Sequence, residues 1–146
     1  MEKQFVTYEI ALKLKELGFD EKCLAWFDEN KEIQIAPDVY KKWTSKPLTN
    51  LNIIKVFNID CVTAPLWQQC IDWFRDKHHT NIEINRFPNI SKWGFVVTDM
   101  TIIPKQQTRK ENINMSLKVA DVRRFDEYFE CREQAILKAI ELCKSN

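Results

Sequence analysis

At 146 residues, 45% hydrophobic and 12% aromatic, the chain is long enough for one domain with a real core, which excludes a largely disordered tail protein. Its two glycines, Gly18 and Gly94, lie too far apart to spell a P-loop or a GxGxxG turn. With 22 basic and 21 acidic residues the net charge is +1, so no global field draws the protein to nucleic acid or to an anionic membrane.

The first predicted helix runs from about Tyr8 to Leu17, with Thr7 as its cap and Gly18 as its stop. Ile10, Ala11, Leu14 and Leu17 form its apolar stripe; Val6 before the cap can staple onto Ala11, and Phe19 beyond the glycine can fold back on Leu14. Lys22–Phe27 and Lys31–Ala36 flank the turn residues Asp28-Glu29-Asn30 and form a β-hairpin. The segment 37–61 is punctuated by Pro37, Pro47 and several polar residues, and within it Leu51–Phe57 fits a short strand or a helical turn equally well.

The central element is a helix opening at Thr63-Ala64-Pro65, with Thr63 as cap and Pro65 in the first turn, where its missing N–H costs nothing. Leu66, Cys70, Trp73 and Phe74 give it a helical stripe, widened by Trp67 and Ile71. Three β-rich stretches follow, 81–87, 93–103 and 113–119, which form an antiparallel meander. The last helix opens at Asp126 and runs to about Lys144, with Phe129, Ala135, Ile136, Ala139, Ile140 and Cys143 inward. The expected fold is therefore a single α+β domain over 1–146, ordered α-β-β-(short element)-α-β-β-β-α. It comprises an α-hairpin unit over 1–36 and an α-β-β-β-α unit over 64–146, with two or three helices packed on antiparallel sheet.

No apolar run approaches the ~18 residues of a membrane span, and the polar start Met1-Glu-Lys-Gln4 is not a signal-peptide pattern; the expectation is a cytoplasmic protein without membrane contact. The five cysteines are odd in number and show no CxxC spacing, which points to reduced core residues rather than zinc ligands or disulfides. His78 and His79 end the central helix without an HExxH or a third ligand, and no cysteine carries a motif that would pair it with a histidine as a nucleophile. Acid pairs such as Asp28/Glu29 and Asp126/Glu127 sit at turns and a helix start, where dipole and turn chemistry place them. The residues thus predict no catalytic site, no metal and no cofactor.

Two surface groups suggest binding. Lys105, Arg109, Lys110, Lys118, Arg123 and Arg124 form a basic segment broken only by Glu111 and Asp121, a possible patch for phosphate or an acidic partner. Tyr40, Lys41, Lys42 and Trp43 form an aromatic-basic cluster suited to a protein interface.

The stretches Phe5–Phe19, Thr63–Arg75 and Phe125–Leu142 resemble a family of small proteins encoded by phages and prophages of Bacteroides-type gut bacteria. The resemblance spans both ends and the centre and brings no catalytic residues with it; it implies a phage protein working in a bacterial host cytoplasm or packed in a virion. The α-β-β-β-α order is also similar to the double-stranded-RNA-binding fold, including an alanine-containing last helix, Ala135–Ile140. That family grips phosphates with lysines where this chain has Asp126-Glu-Tyr-Phe-Glu130, a turn that would repel them. The expected function is a non-enzymatic phage accessory protein that binds a host or virion protein, or itself as a homo-oligomer. The alternative is nucleic-acid or nucleotide-phosphate binding through the basic 104–124 segment.

Overall fold

The computed structural model describes residues 2–35, 49–50, 61–101, 119–120 and 124–145. The fold is α+β with two antiparallel sheets, and the chain divides into two compact units, Met1–Gln69 and Cys70–Asn146.

In the first unit, helix α1 spans Tyr8–Glu16 and buries Ile10, Ala11 and Leu14. Thr7 occupies the cap position with extended backbone, but its hydroxyl makes no capping bond; the helix begins instead with the Ala11 amide donating to the Thr7 carbonyl at 2.9 Å. The other end follows its sequence signals closely. Gly18 has φ +90°, the left-handed conformation that costs an L-residue a Cβ clash. It lets the Gly18 amide reach the Lys15 carbonyl at 3.0 Å and the Phe19 amide reach that of Leu14 at 2.9 Å. Leu14 and Phe19 are both buried, as this reversal requires.

The hairpin pairs β1 (Ala25–Phe27) with β2 (Ile33–Ile35). Asp28 closes its turn, its carboxylate accepting the amides of Asn30 and Glu32 at 2.9 Å each and the Gln34 side chain at 2.8 Å. The bond from the Glu32 amide, followed by those from Gln34 and Asn30, holds the Asp28 carboxyl below the usual carboxylate range. A third strand, β3 (Val62–Ala64), pairs with the opposite edge of β1, so the order is β2-β1-β3 and α1 packs on β3.

This strand corrects the reading of Thr63 as a helix cap and of Ala64 and Pro65 as a first helical turn. Ala64 precedes proline and is pushed toward extended backbone, and Thr63 lies opposite Trp26 in the sheet. The helix α2 begins later, at Trp67, and runs to His78. Asn50, buried and outside both sheets, ties these pieces together. Its side-chain oxygen accepts the Thr63 amide at 3.0 Å, and its NH2 donates to the Phe19 carbonyl at 2.7 Å.

The second unit holds most of α2, on which Cys70, Trp73 and Phe74 are buried as the stripe predicted. It continues with β4 (Thr80–Phe87), β5 (Lys92–Asp99), the short β6 (Val119–Ala120) and helix α3 (Tyr128–Lys144), with the sheet in the order β4-β5-β6. The meander is therefore present, but its middle strand stops at Asp99 rather than Ile103. There the Asp99 carboxylate accepts both the amide and the hydroxyl of Thr101 and turns the chain. The expected strand segment 113–118 and the ambiguous Leu51–Phe57 lie outside the described residues.

Alternation along β4 and β5 turns Ile82, Phe95 and Val97 into the core, and α3 packs on both strands. Cys131, Ala135, Ile136, Ala139, Ile140 and Leu142 form the buried face of α3, and the small side chains at 135 and 139 suit a close approach to the sheet. Phe129 is a second correction, since it is 51% exposed. It belongs to the first turn of α3, where helical periodicity no longer says which side is covered.

Candidate interaction surface

Of the residues singled out for binding, Arg124 alone is described. Lys105, Arg109, Lys110, Lys118 and Arg123, and the whole Tyr40, Lys41, Lys42, Trp43 cluster, lie outside the described residues. Arg124 marks an assembly in the second unit that composition did not point to, built where the β4–β5 hairpin ends and α3 begins.

Strand pairing sets Arg86 opposite Trp93 and Phe87 opposite Lys92, on alternate faces of the sheet. On the outer face the Arg124 guanidinium lies over the Phe87 ring, 4.3 Å from its centroid. The ring in turn lies across Gly94, where an added Cβ would come within 2.6 Å of Phe87 and 3.4 Å of the Arg124 Nη1. Glycine here gives the pair room to lie against the strand. Arg124 is placed by its neighbour: Phe125 exchanges backbone bonds with Trp93 at 2.8 and 2.9 Å and stacks on Phe95 at 6.0 Å, anchoring the chain just before α3.

On the inner face, Trp93 meets Tyr128 edge-on at 4.9 Å, and Tyr128 meets Phe129 at 5.8 Å. Arg132, one turn along α3, lies 5.3 Å and 5.1 Å from the Tyr128 and Phe129 centroids, and Arg86 lies 6.0 Å from that of Trp93. Phe129 (51% exposed) presents apolar surface on this face, Phe87 (36%) on the outer one, and Ile90 (53%) in the hairpin turn. Asp126, Glu127 and Glu130 are exposed on the same α3 turn, and Asp126 pairs with Lys92. The result is a ring and guanidinium cluster on each face of the sheet, Phe87 with Arg124 on the outer face and Trp93, Tyr128 and Phe129 with Arg132 on the inner one, with acids nearby.

The sequence held a signal for part of it. Tyr128-Phe129 and Arg132 stand at the i, i+4 and i, i+3 spacings that bring side chains together on a helix. What could not be read locally is that Trp93, from the hairpin, meets this turn, and that Phe87 lies under Arg124.

The cysteines and histidines sit elsewhere in the described residues. None of the five cysteines forms a disulfide. Burial pushes Cys23 up to about 12, and burial also raises Cys143, whose sulfur lies 3.9 Å from the Thr80 hydroxyl. His78 packs edge-on against Trp73 at 4.5 Å; burial, followed by the neighbouring charge of His79, lowers its pKa and favours the neutral ring. Among the described residues no three His, Cys, Asp or Glu side chains group as metal ligands, and no helix is long and apolar enough to cross a membrane. In comparisons with known proteins, no family model, no curated protein and no solved structure matches this chain.

Proposed function

We propose that the protein is a non-enzymatic binding protein, a phage accessory factor whose partner is a protein of the host or of the virion. The observation that carries this reading is the cluster of rings and a guanidinium formed by Trp93, Tyr128, Phe129 and Arg132 on the inner face, beside the Phe87 and Arg124 pair on the outer one. Aromatic and arginine side chains are the residue types that dominate interface energetics, and here they are already held against one another, which lowers the entropy lost on binding. The resemblance to phage-encoded proteins gives the context, host cytoplasm or virion. Nucleic acid is the second reading, because stacked rings with arginines also suit exposed bases. Against it stand the exposed Asp126, Glu127 and Glu130 on the same turn and a net charge of only +1.

A photo-crosslinking residue at position 129, followed by titration of the purified crosslinked partner, tests the protein reading. Phe129→Ala is expected to weaken that complex about thirtyfold, the scale of an interface hot spot. Fluorescence anisotropy with single- and double-stranded DNA and RNA, at low and moderate salt, tests the alternative. Submicromolar, salt-sensitive binding abolished by Arg124→Glu would replace the protein partner with a nucleic acid.

A further inference from the structure

Among the described residues strand β4 is an edge of its sheet, and nothing pairs with its outer side. Two independent bonds fix which of its backbone groups point outward. The Met100 amide donates to the His79 carbonyl at 2.7 Å, so Asn81, Glu83, Asn85 and Phe87 aim their backbone groups at β5, and Ile82, Ile84 and Arg86 aim theirs away. Trp93, the partner of Arg86, sends its own N–H and C=O to Phe125 on the far side of β5, which gives the same phase. Thr80 and Ile82 are 2% and 7% exposed, whereas Glu83, Asn85, Arg86 and Phe87 are exposed. The open part of the edge therefore runs from Glu83 to Phe87. The strand is eight residues long, has no proline, and pairs with β5 without a bulge. This edge carries charges at Glu83 and Arg86 but neither of the backbone devices, proline and bulge, that block strand addition.

We propose that β4 pairs antiparallel with β4 of a second copy of this chain, joining two sheets into one. In β4 the residues whose backbone points outward are also those whose side chains face α3. Outward groups can thus meet only with like faces together, and the twofold axis stands perpendicular to the sheet with both α3 helices on one side. Charge selects the register. Centring the pair on Glu83 sets like carboxylates opposite one another, and centring it on Ile84 draws in Asn81 and the buried Ile82. Centring it on Asn85 uses only the exposed segment. Ile84 and Arg86 then exchange backbone bonds with Arg86 and Ile84 of the second copy, and Glu83 falls opposite Phe87, over which Arg124 holds its positive charge. That match of carboxylate to guanidinium, made twice by symmetry, is why the occupant is a second copy rather than an unrelated strand.

Sedimentation velocity on the full chain across the micromolar range tests this, with a concentration-dependent monomer–dimer equilibrium expected. Arg86→Pro removes an outward N–H and no bond to β5, a place where an edge strand tolerates proline, and is expected to abolish the dimer with an unchanged circular dichroism spectrum. Glu83→Lys, on an exposed side chain, is expected to weaken the dimer about tenfold, and adding Arg124→Glu to it to restore the loss. A monomer at every concentration would overturn the proposal, and so would a dimer indifferent to Glu83→Lys.

Discussion

Trp73→Ala is expected to destabilise the protein by about 3–5 kcal/mol, the cost of emptying the space of a large buried ring. Trp73 is 6% exposed, and its indole meets Phe74 at 5.1 Å and His78 at 4.5 Å. All three rings are carried by one helix, so the backbone of α2 fixes where each side chain starts, and only side-chain rotation is left to fill the void. The neighbouring Arg75 is exposed and pairs with Asp72 across one turn at 3.2 Å. Arg75→Ala should therefore stay within about 0.5 kcal/mol of the parent, the range for a surface change. Chemical denaturation of both variants makes the comparison. A loss under about 1 kcal/mol for Trp73→Ala would mean that its ring is not enclosed.

The second large effect is expected at a polar residue. Asn50→Leu keeps the branched shape, with somewhat more bulk, but leaves the Thr63 amide and the Phe19 carbonyl without this partner. At about 1–3 kcal/mol for each of the two stranded buried groups, the loss should be about 2–6 kcal/mol. The orientation of the Asn50 amide follows from chemistry, because an N–H must meet an oxygen and a carbonyl must meet an NH2. Asn50→Asp therefore makes an informative companion. It keeps the acceptor for Thr63 but turns a second oxygen toward the Phe19 carbonyl, so it too should be strongly destabilising. Equilibrium denaturation in which Asn50→Leu loses less than about 0.5 kcal/mol would show that the clamp does not contribute.

The parts of this fold that are legible in the sequence are those specified locally. Gly18 stops α1 because one residue carries the required φ, and Asp28 closes the hairpin with bonds to residues no more than six positions away. Thr63-Ala64-Pro65 misleads because the same residues suit a helix start and an extended pre-proline segment; the decision belongs to Trp26, far earlier in the chain. Phe129 misleads for a related reason. Its helical phase points inward, yet the covering sheet is supplied by strands that the helix sequence does not encode. The interaction surface was half visible, with the charge of Arg124 plain and the Phe87 ring beneath it hidden by distance along the chain. Asn50, read only as loop punctuation, shows that a buried polar residue cannot be told from a turn residue until its partners are known.

The central place of β1 in its sheet gives neighbouring amides of one short strand different meanings. The Asp28 amide bonds the Glu32 carbonyl at 3.0 Å, which sets the phase of the hairpin: Trp26 turns its N–H to β2, and Ala25 and Phe27 turn theirs to β3. The first pairing closes within a turn of the chain, whereas the second requires residues 62–64 to return across a long intervening segment, at a much greater cost in loop entropy. Hydrogen exchange at Trp26 therefore times the opening of a local hairpin, and exchange at Phe27 times the release of that long closure. Two adjacent amides thereby report two different openings of one small sheet.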